Sequence, residues 1–260
     1  MAMRPIWTGA IRFGLINIPV RLYNASRERS FSFHFLRKND LCPIKYVKVC
    51  RATGENVASS EIVKGYEYSK GDYVVLSDED FKKADPKSEK AIDVLEFVDE
   101  REVDPKLFIK PYYLEPVKEA RKAYVLLREA LRISKKSGLV KFVLRSKEYL
   151  GVLKPDKEII VLNQMRYHDE LIKPALDIPE AEITETELDI SIKLIDQLTA
   201  PFRPQEHTDT YREKLKEVIE AKARGKELKR PRTEAILATQ APDIMEKLRE
   251  SLELAQRRQK

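Results

Sequence analysis

His168, Asp169 and Glu170 place a base beside two carboxylates, the residue types that acid–base or metal chemistry would use. Read as part of a strand, neighbouring side chains point to opposite faces, so the three are not expected to converge on one substrate atom. Asp78, Glu79 and Asp80 stand just before the apolar Phe81, where acidic residues favour a helix N-terminus. His34 lies between Phe33 and Phe35 and, on a regular strand, faces away from the phenylalanines as an ordinary surface or cavity-lining residue. Cys42 and Cys50 form no CxxC pair and have no histidine nearby to complete a zinc tetrad, so they are expected to be reduced thiols. The sequence contains no GxxxxGK[ST], GxGxxG, GxSxG or HExxH string. We therefore expect no catalytic residue, no metal and no cofactor, and a protein that is not an enzyme.

The cations are arranged more informatively. Along Leu139–Arg145, Val140, Phe142 and Leu144 alternate with Lys141 and Arg145, giving one packed and one cationic face, with Lys147 in the turn beyond. Arg12 stands between Ile11 and Phe13 in the same way. Lys45 and Lys48 accompany Ile44, Tyr46 and Val49. Such a face could lie along a phosphate backbone, although solvating charge on an exposed sheet would look the same. Lys and Arg exceed Asp and Glu by 49 to 43, a net charge of +6, which agrees with a polyanionic partner without requiring one.

These residues must be positioned by a chain of 260 residues, 42% hydrophobic and 35% charged, long enough for one main core and an appendage. From Ile6 to about Arg166 apolar residues recur with period two. Ile11, Phe13 and Leu15 give way to Ile16, Ile18, Val20 and Leu22 in the opposite phase, suggesting a β-bulge beside Gly14. Further strands are predicted at Phe31–Phe35, Ile44–Val49, Tyr73–Leu76, Ile92–Val98, Phe108–Leu114, Leu139–Leu144, Tyr149–Leu153 and Ile159–Gln164, the pattern of a barrel or sandwich. One helix interrupts them, with Pro116 as its first residue and Gly138 as its stop.

Beyond Lys173 the period becomes helical. Thr184 and Glu187 have capping-box spacing before a stripe of Leu188, Ile192, Ile195 and Leu198, and Tyr211, Leu215, Val218 and Ile219 form a second stripe before Gly225. Arg224–Gln240 reads as a solvated basic linker, and Pro242 opens a short amphipathic stretch with Ile244, Met245, Leu248 and Leu252. The resulting division is 1–175 as a β core, 176–223 as a helical part of that core, and 224–260 as basic linker and short helix. There is no run of roughly 20 apolar residues, and Met1–Ile11 lacks the apolar core of a signal peptide. A cytoplasmic protein is expected.

Specific strings go further. IWTGAIRFGLINIPVRLYNA (Ile6–Ala25), KGYEYSKGDYVVL (Lys64–Leu76), KPYYLEP (Lys110–Pro116), AYVLLREAL (Ala123–Leu131) and VLRSKEYLGVLKP (Val143–Pro155) resemble the signature segments of the bacterial Ku family, in the same order. PEAEITETELDISIKLIDQLTAPF (Pro179–Phe202) and YREKLKEVIEAKARGKE (Tyr211–Glu227) resemble its helical C-terminal part. The resemblance implies a mixed, mainly β fold, with a Ku-type β-barrel core and inserted and C-terminal helices. It also implies a ring-shaped homodimer threaded by a double-stranded DNA end, acting in non-homologous end joining and recruiting an ATP-dependent polymerase-ligase. Such a protein would be nucleoid-associated. A ring that accepts any broken end should contact phosphate and sugar rather than base edges.

Carried over by position, the resemblance makes Arg12, Lys141, Arg145 and Lys147 candidate DNA contacts, with Arg37, Lys45, Lys48 and Arg51 as weaker ones. Lys226, Lys229, Arg230 and Arg232 become candidate DNA or ligase contacts of the C-terminal region. Two departures stand out: Cys50 is followed by Arg51, Ala52 and Thr53 where some relatives have CxxC, and the tail after Glu227 is short and mixed in charge. Two other readings remain open. The chain could be a protein-interaction adaptor docking through Pro242–Leu254, with incidental DNA affinity, or a weak abasic-site lyase using a lysine amine.

Overall fold

The computed structural model describes residues 3–27, 29–84, 90–176, 180–225 and 243–258. It divides into two compact units, 1–174 and 175–260. Among the described residues the first holds nine strands: β1 (Trp7–Phe13), β2 (Ile16–Asn24), β3 (Lys64–Ser69), β4 (Asp72–Leu76), β5 (Ala91–Asp99), β6 (Phe108–Pro116), β7 (Lys136–Leu144), β8 (Lys147–Asp156) and β9 (Ile159–Met165). Helix α1 (Asp78–Ala84) follows β4, and α2 (Arg121–Ser134) lies between β6 and β7. Seven strands close a barrel in the order β1-β2-β6-β9-β8-β7-β5, and β3 and β4 form a separate two-stranded sheet.

Period-two alternation builds this barrel directly. Ile11, Ile18, Val20, Leu22, Ile92, Leu114, Val140, Phe142, Leu153, Ile160 and Leu162 form one buried cluster, joined by Tyr124, Leu127 and Leu131 of α2. Burying an aliphatic side chain of this size contributes about 1.5–3 kcal/mol, so the interior phase of each strand fixes its register. The barrel closes where β1 runs parallel to β5, pairing Ala10 with Ala91, Ile11 with Ile92 and Arg12 with Asp93. That seam needs Gly9, because a Cβ there would lie 2.0 Å from the Lys90 carbonyl oxygen.

Several expectations are corrected. The phase flip near Gly14 is a two-residue hairpin turn rather than a bulge: Phe13 pairs with Ile16, and Gly14 takes φ 57°. Reversing the chain inverts the apparent phase just as an inserted residue would. Pro116 ends β6 instead of opening a helix, and Gly138 lies inside β7; α2 stops at Lys135, whose φ is 55°. Phe31–Phe35 and Ile44–Val49 form no strands. Only the isolated bridges Leu36–Pro43 and Val49–Asn56 occur there, and no described residue from 24 to 83 is buried. Alternation alone does not make a strand without a partner and a core face. His168–Glu170 form a 3-10 turn rather than part of a strand.

The second unit contains α3 (Glu185–Leu198), α4 (Thr210–Ala223) and α5 (Ile244–Arg258). The capping box is present: Glu187 N–H donates to Thr184 Oγ1, and Thr184 N–H donates to Glu187 Oε2 at 2.8 Å. Gly225 follows α4 with φ 72°, the left-handed conformation that ends helices. Of the linker expected at Arg224–Gln240, residues 226–240 lie outside the described residues, as does Pro242.

Candidate nucleic-acid interface

Strand register brings two of the sequence-derived cations onto one outer stripe of the barrel. Arg12 of β1 is the cross-strand partner of Asp93 in β5, and Asp93 is the partner of Lys141 in β7. Their neighbours Ile11, Ile92 and Val140 are fully buried, so Arg12, Asp93 and Lys141 point outward. The Arg12 guanidinium grips Asp93 with both prongs, Nε donating to Oδ1 at 2.6 Å and Nη2 to Oδ2 at 2.9 Å. Lys141 Nζ donates to Glu148 Oε1 at 2.9 Å, and the Tyr167 hydroxyl donates to the same oxygen at 3.2 Å. The stripe therefore reads cation, anion, cation, anion across β1, β5, β7 and β8. Glu148 raises the Lys141 pKa, and burial followed by the Glu148 charge raises that of Tyr167.

Arg145 and Lys147 sit differently from the sequence expectation. β7 ends at Leu144, which pairs with Lys147 across a two-residue turn, so Arg145 occupies the turn and Lys147 begins β8. Arg145 and Ser146 take φ 55° and 62°, the left-handed pair of a tight hairpin. A strand continuing to Arg145 would have needed a pairing partner that the reversal removes. Lys147 Nζ stands 5.4 Å from the centre of the Tyr149 ring. The Arg145 charge reaches Tyr112, where it partly opposes the upward push of burial on the phenol. Among the described residues no carboxylate lies within ion-pair distance of Arg145 or Lys147, so this turn is less neutralised than the stripe of Arg12 and Lys141.

The weaker candidates lie in the exposed segment between β2 and β3. Arg37 is paired with Asp40, its Nε donating to Oδ1 at 2.8 Å, and this contact raises the Arg37 pKa and lowers that of Asp40. Lys45, Lys48 and Arg51 are exposed in the same segment. Cys42 and Cys50 are free, and backbone and hydroxyl donors of Thr53 lower the Cys50 pKa. Among the described residues no group of three His, Cys, Asp or Glu side chains could hold a metal ion, and no helix is long and apolar enough to cross a membrane. Lys226, Lys229, Arg230 and Arg232 lie outside the described residues.

Sequence reasoning missed Asp93, Glu148 and Lys90. Lys90 lines a shallow recess of about 460 Å³ with Arg12 and Asn17, adding a cation beside the stripe. Asp93 and Glu148 carried only the signal of outward phase on their strands, and nothing in the sequence reveals that β5 separates β1 from β7.

Comparison with known proteins agrees with this barrel. Residues 12–190 match the family described as the Ku70/Ku80 beta-barrel domain. The chain is 39% identical over 261 residues to the non-homologous end joining protein Ku of Coxiella burnetii (strain RSA 331 / Henzerling II), covering 97% of this chain and 95% of that one. It is 43% identical over 230 residues to the protein of that name from Archaeoglobus fulgidus, covering 87% and 90%. The Bacillus subtilis (strain 168) protein of the same name is 41% identical over 230 residues, covering 86% and 74%. Identity at this level along nearly the whole chain, together with a closed seven-stranded barrel in the matched region, means that the chain belongs to the Ku family.

Proposed function

We propose that the chain binds ends of double-stranded DNA without sequence preference and acts in non-homologous end joining as a ring-shaped homodimer that recruits an ATP-dependent polymerase-ligase. The observation that carries this is the extended identity to proteins named for that process, which spans the barrel and the cationic strands alike. Arg12, Lys141, Arg145 and Lys147 would contact phosphate from pleated strands and a tight turn. No basic recognition helix is part of this arrangement, which suits a protein that reads backbone rather than base edges. Arg37, Lys45, Lys48 and Arg51 would add contacts from the exposed segment, and Lys226, Lys229, Arg230 and Arg232 would contact DNA or ligase from the C-terminal region.

The dimer is supported by surface that a lone chain leaves uncovered. β3 and β4 form a two-stranded hairpin with Tyr66, Tyr68, Tyr73, Val74 and Val75 all exposed. Such hairpins are marginal in water unless another surface covers them. A second copy supplies that surface and completes a ring that one chain of this size could not close around a duplex. The reading assigns the protein a scaffold's role rather than an enzyme's.

The test compares a linear duplex with a covalently closed circle of the same length and sequence, at several salt concentrations. Tight binding to the linear form, little to the circle and a steep loss with salt are expected. Equal affinity for the two forms at moderate salt would overturn the proposal.

A further inference from the structure

We propose that Asp93 and Glu148 are specificity-setting residues that compete with DNA phosphate for Arg12 and Lys141 and so hold down the grip of the barrel stripe on duplex. This rests on the reading above that Arg12 and Lys141 meet phosphate. Asp93 stands between the two cations in register, partner of Arg12 on one side and of Lys141 on the other. Its carboxylate already takes both prongs of the Arg12 fork, the geometry in which guanidinium otherwise binds phosphate. Glu148 occupies Lys141 at 2.9 Å and is itself held by the Tyr167 hydroxyl. Both ion pairs are partly open to solvent: the side chains of Arg12 and Asp93 are 37% and 44% exposed, those of Lys141 and Glu148 43% and 36%. A phosphate can therefore reach each pair.

Within the stripe the four formal charges sum to zero. A direct phosphate contact by either cation comes at the expense of its contact with Asp93 or Glu148. A stripe so balanced favours the geometry in which many weak contacts act together, as around a threaded end, over casual contact with a passing duplex. Weak individual contacts also permit movement along the duplex after loading. The turn cations Arg145 and Lys147, with no such carboxylate among the described residues, would provide the first hold.

The experiment measures affinity of the full-length chain for a short blunt duplex over a range of salt, for D93N, E148Q, the D93N/E148Q double variant and the R12A/K141A double variant. The carboxamides are near-isosteric, and thermal melting of each variant checks that the barrel persists. For D93N/E148Q the expected result is at least tenfold tighter binding at about 0.15 M salt, a salt slope steeper by about 0.9 per released cation, and a reduced preference for linear over circular DNA. If D93N/E148Q binds no more tightly while R12A/K141A binds more weakly, the competition is overturned and phosphate contact by the stripe stands. If R12A/K141A binds like the parent, the phosphate contact fails too. Should the double variant not fold, E148Q alone decides, with tighter binding expected and unchanged or weaker binding contrary.

Discussion

The Tyr124 hydroxyl of α2 accepts the backbone N–H of Ile160 at 2.6 Å. It also donates to the Leu114 carbonyl at 2.6 Å, and Leu114 and Ile160 are cross-strand partners in β6 and β9. A helix side chain thus completes the hydrogen bonding of the barrel wall at a point where neither backbone group meets water. Tyr124→Phe keeps the ring packed and leaves both groups unmatched, so a loss of about 1–3 kcal/mol is expected, read by denaturant unfolding with unchanged m-value. A loss within error would mean that these groups find other partners.

The turn joining β7 to β8 predicts opposite effects of one substitution on two properties. Arg145 and Ser146 both adopt left-handed backbone, which costs a residue with a Cβ about 1–2 kcal/mol. Ser146→Gly should stabilise the barrel by about 1 kcal/mol and leave DNA affinity unchanged. Arg145→Gly should stabilise it similarly while weakening DNA binding and reducing the salt slope by about 0.9. Melting and binding measured on the same preparations check both.

The β3–β4 hairpin carries the prediction for assembly. Tyr66 and Val74 are paired across the hairpin and 65% and 46% exposed. Replacing both with Asp places two charges where a second copy would cover the strands. Sedimentation should then show a monomer whose barrel retains its near-ultraviolet circular dichroism. A dimer of parental affinity would place the interface elsewhere.

Acid should loosen α3 through its cap. Thr184 donors depress the Glu187 pKa below its ordinary value, about 4.3 for a free glutamate. A depressed acid contributes stability that is fully present above the ordinary value and is lost as pH falls through the folded one. Lowering pH from 5 to 2 should therefore fray the first turn of α3, followed by NMR of residues 185–188, and Glu187→Gln should flatten that response.

Much of the barrel was legible because each strand carries its own instruction: Ile18, Val20 and Leu22 alternate with polar or exposed residues, and only one phase can be buried. The α3 cap was legible for the same reason, since Thr184 and Glu187 act within one turn. What escaped the sequence depends on residues far apart. Arg12 meets Asp93 across 81 positions, and the carboxylates that restrain the candidate cations appear only once the strand order is known. Phe33 and Phe35 alternate as well as any strand does, yet remain exposed because no sheet receives them.

The parallel seam between β1 and β5 has a consequence in time. β1 is made well before its second neighbour, β5, which lies beyond the whole exposed segment and the β3–β4 hairpin. Until residues 91–93 are made, one side of β1 has unpaired backbone and Ile11 has no finished interior to enter. Closing so long a loop costs entropy before any contact compensates it, and parallel pairing is slow for that reason. During synthesis the strand bearing Arg12 is therefore an open edge until β5 is made, and an open edge is a template for pairing with another chain.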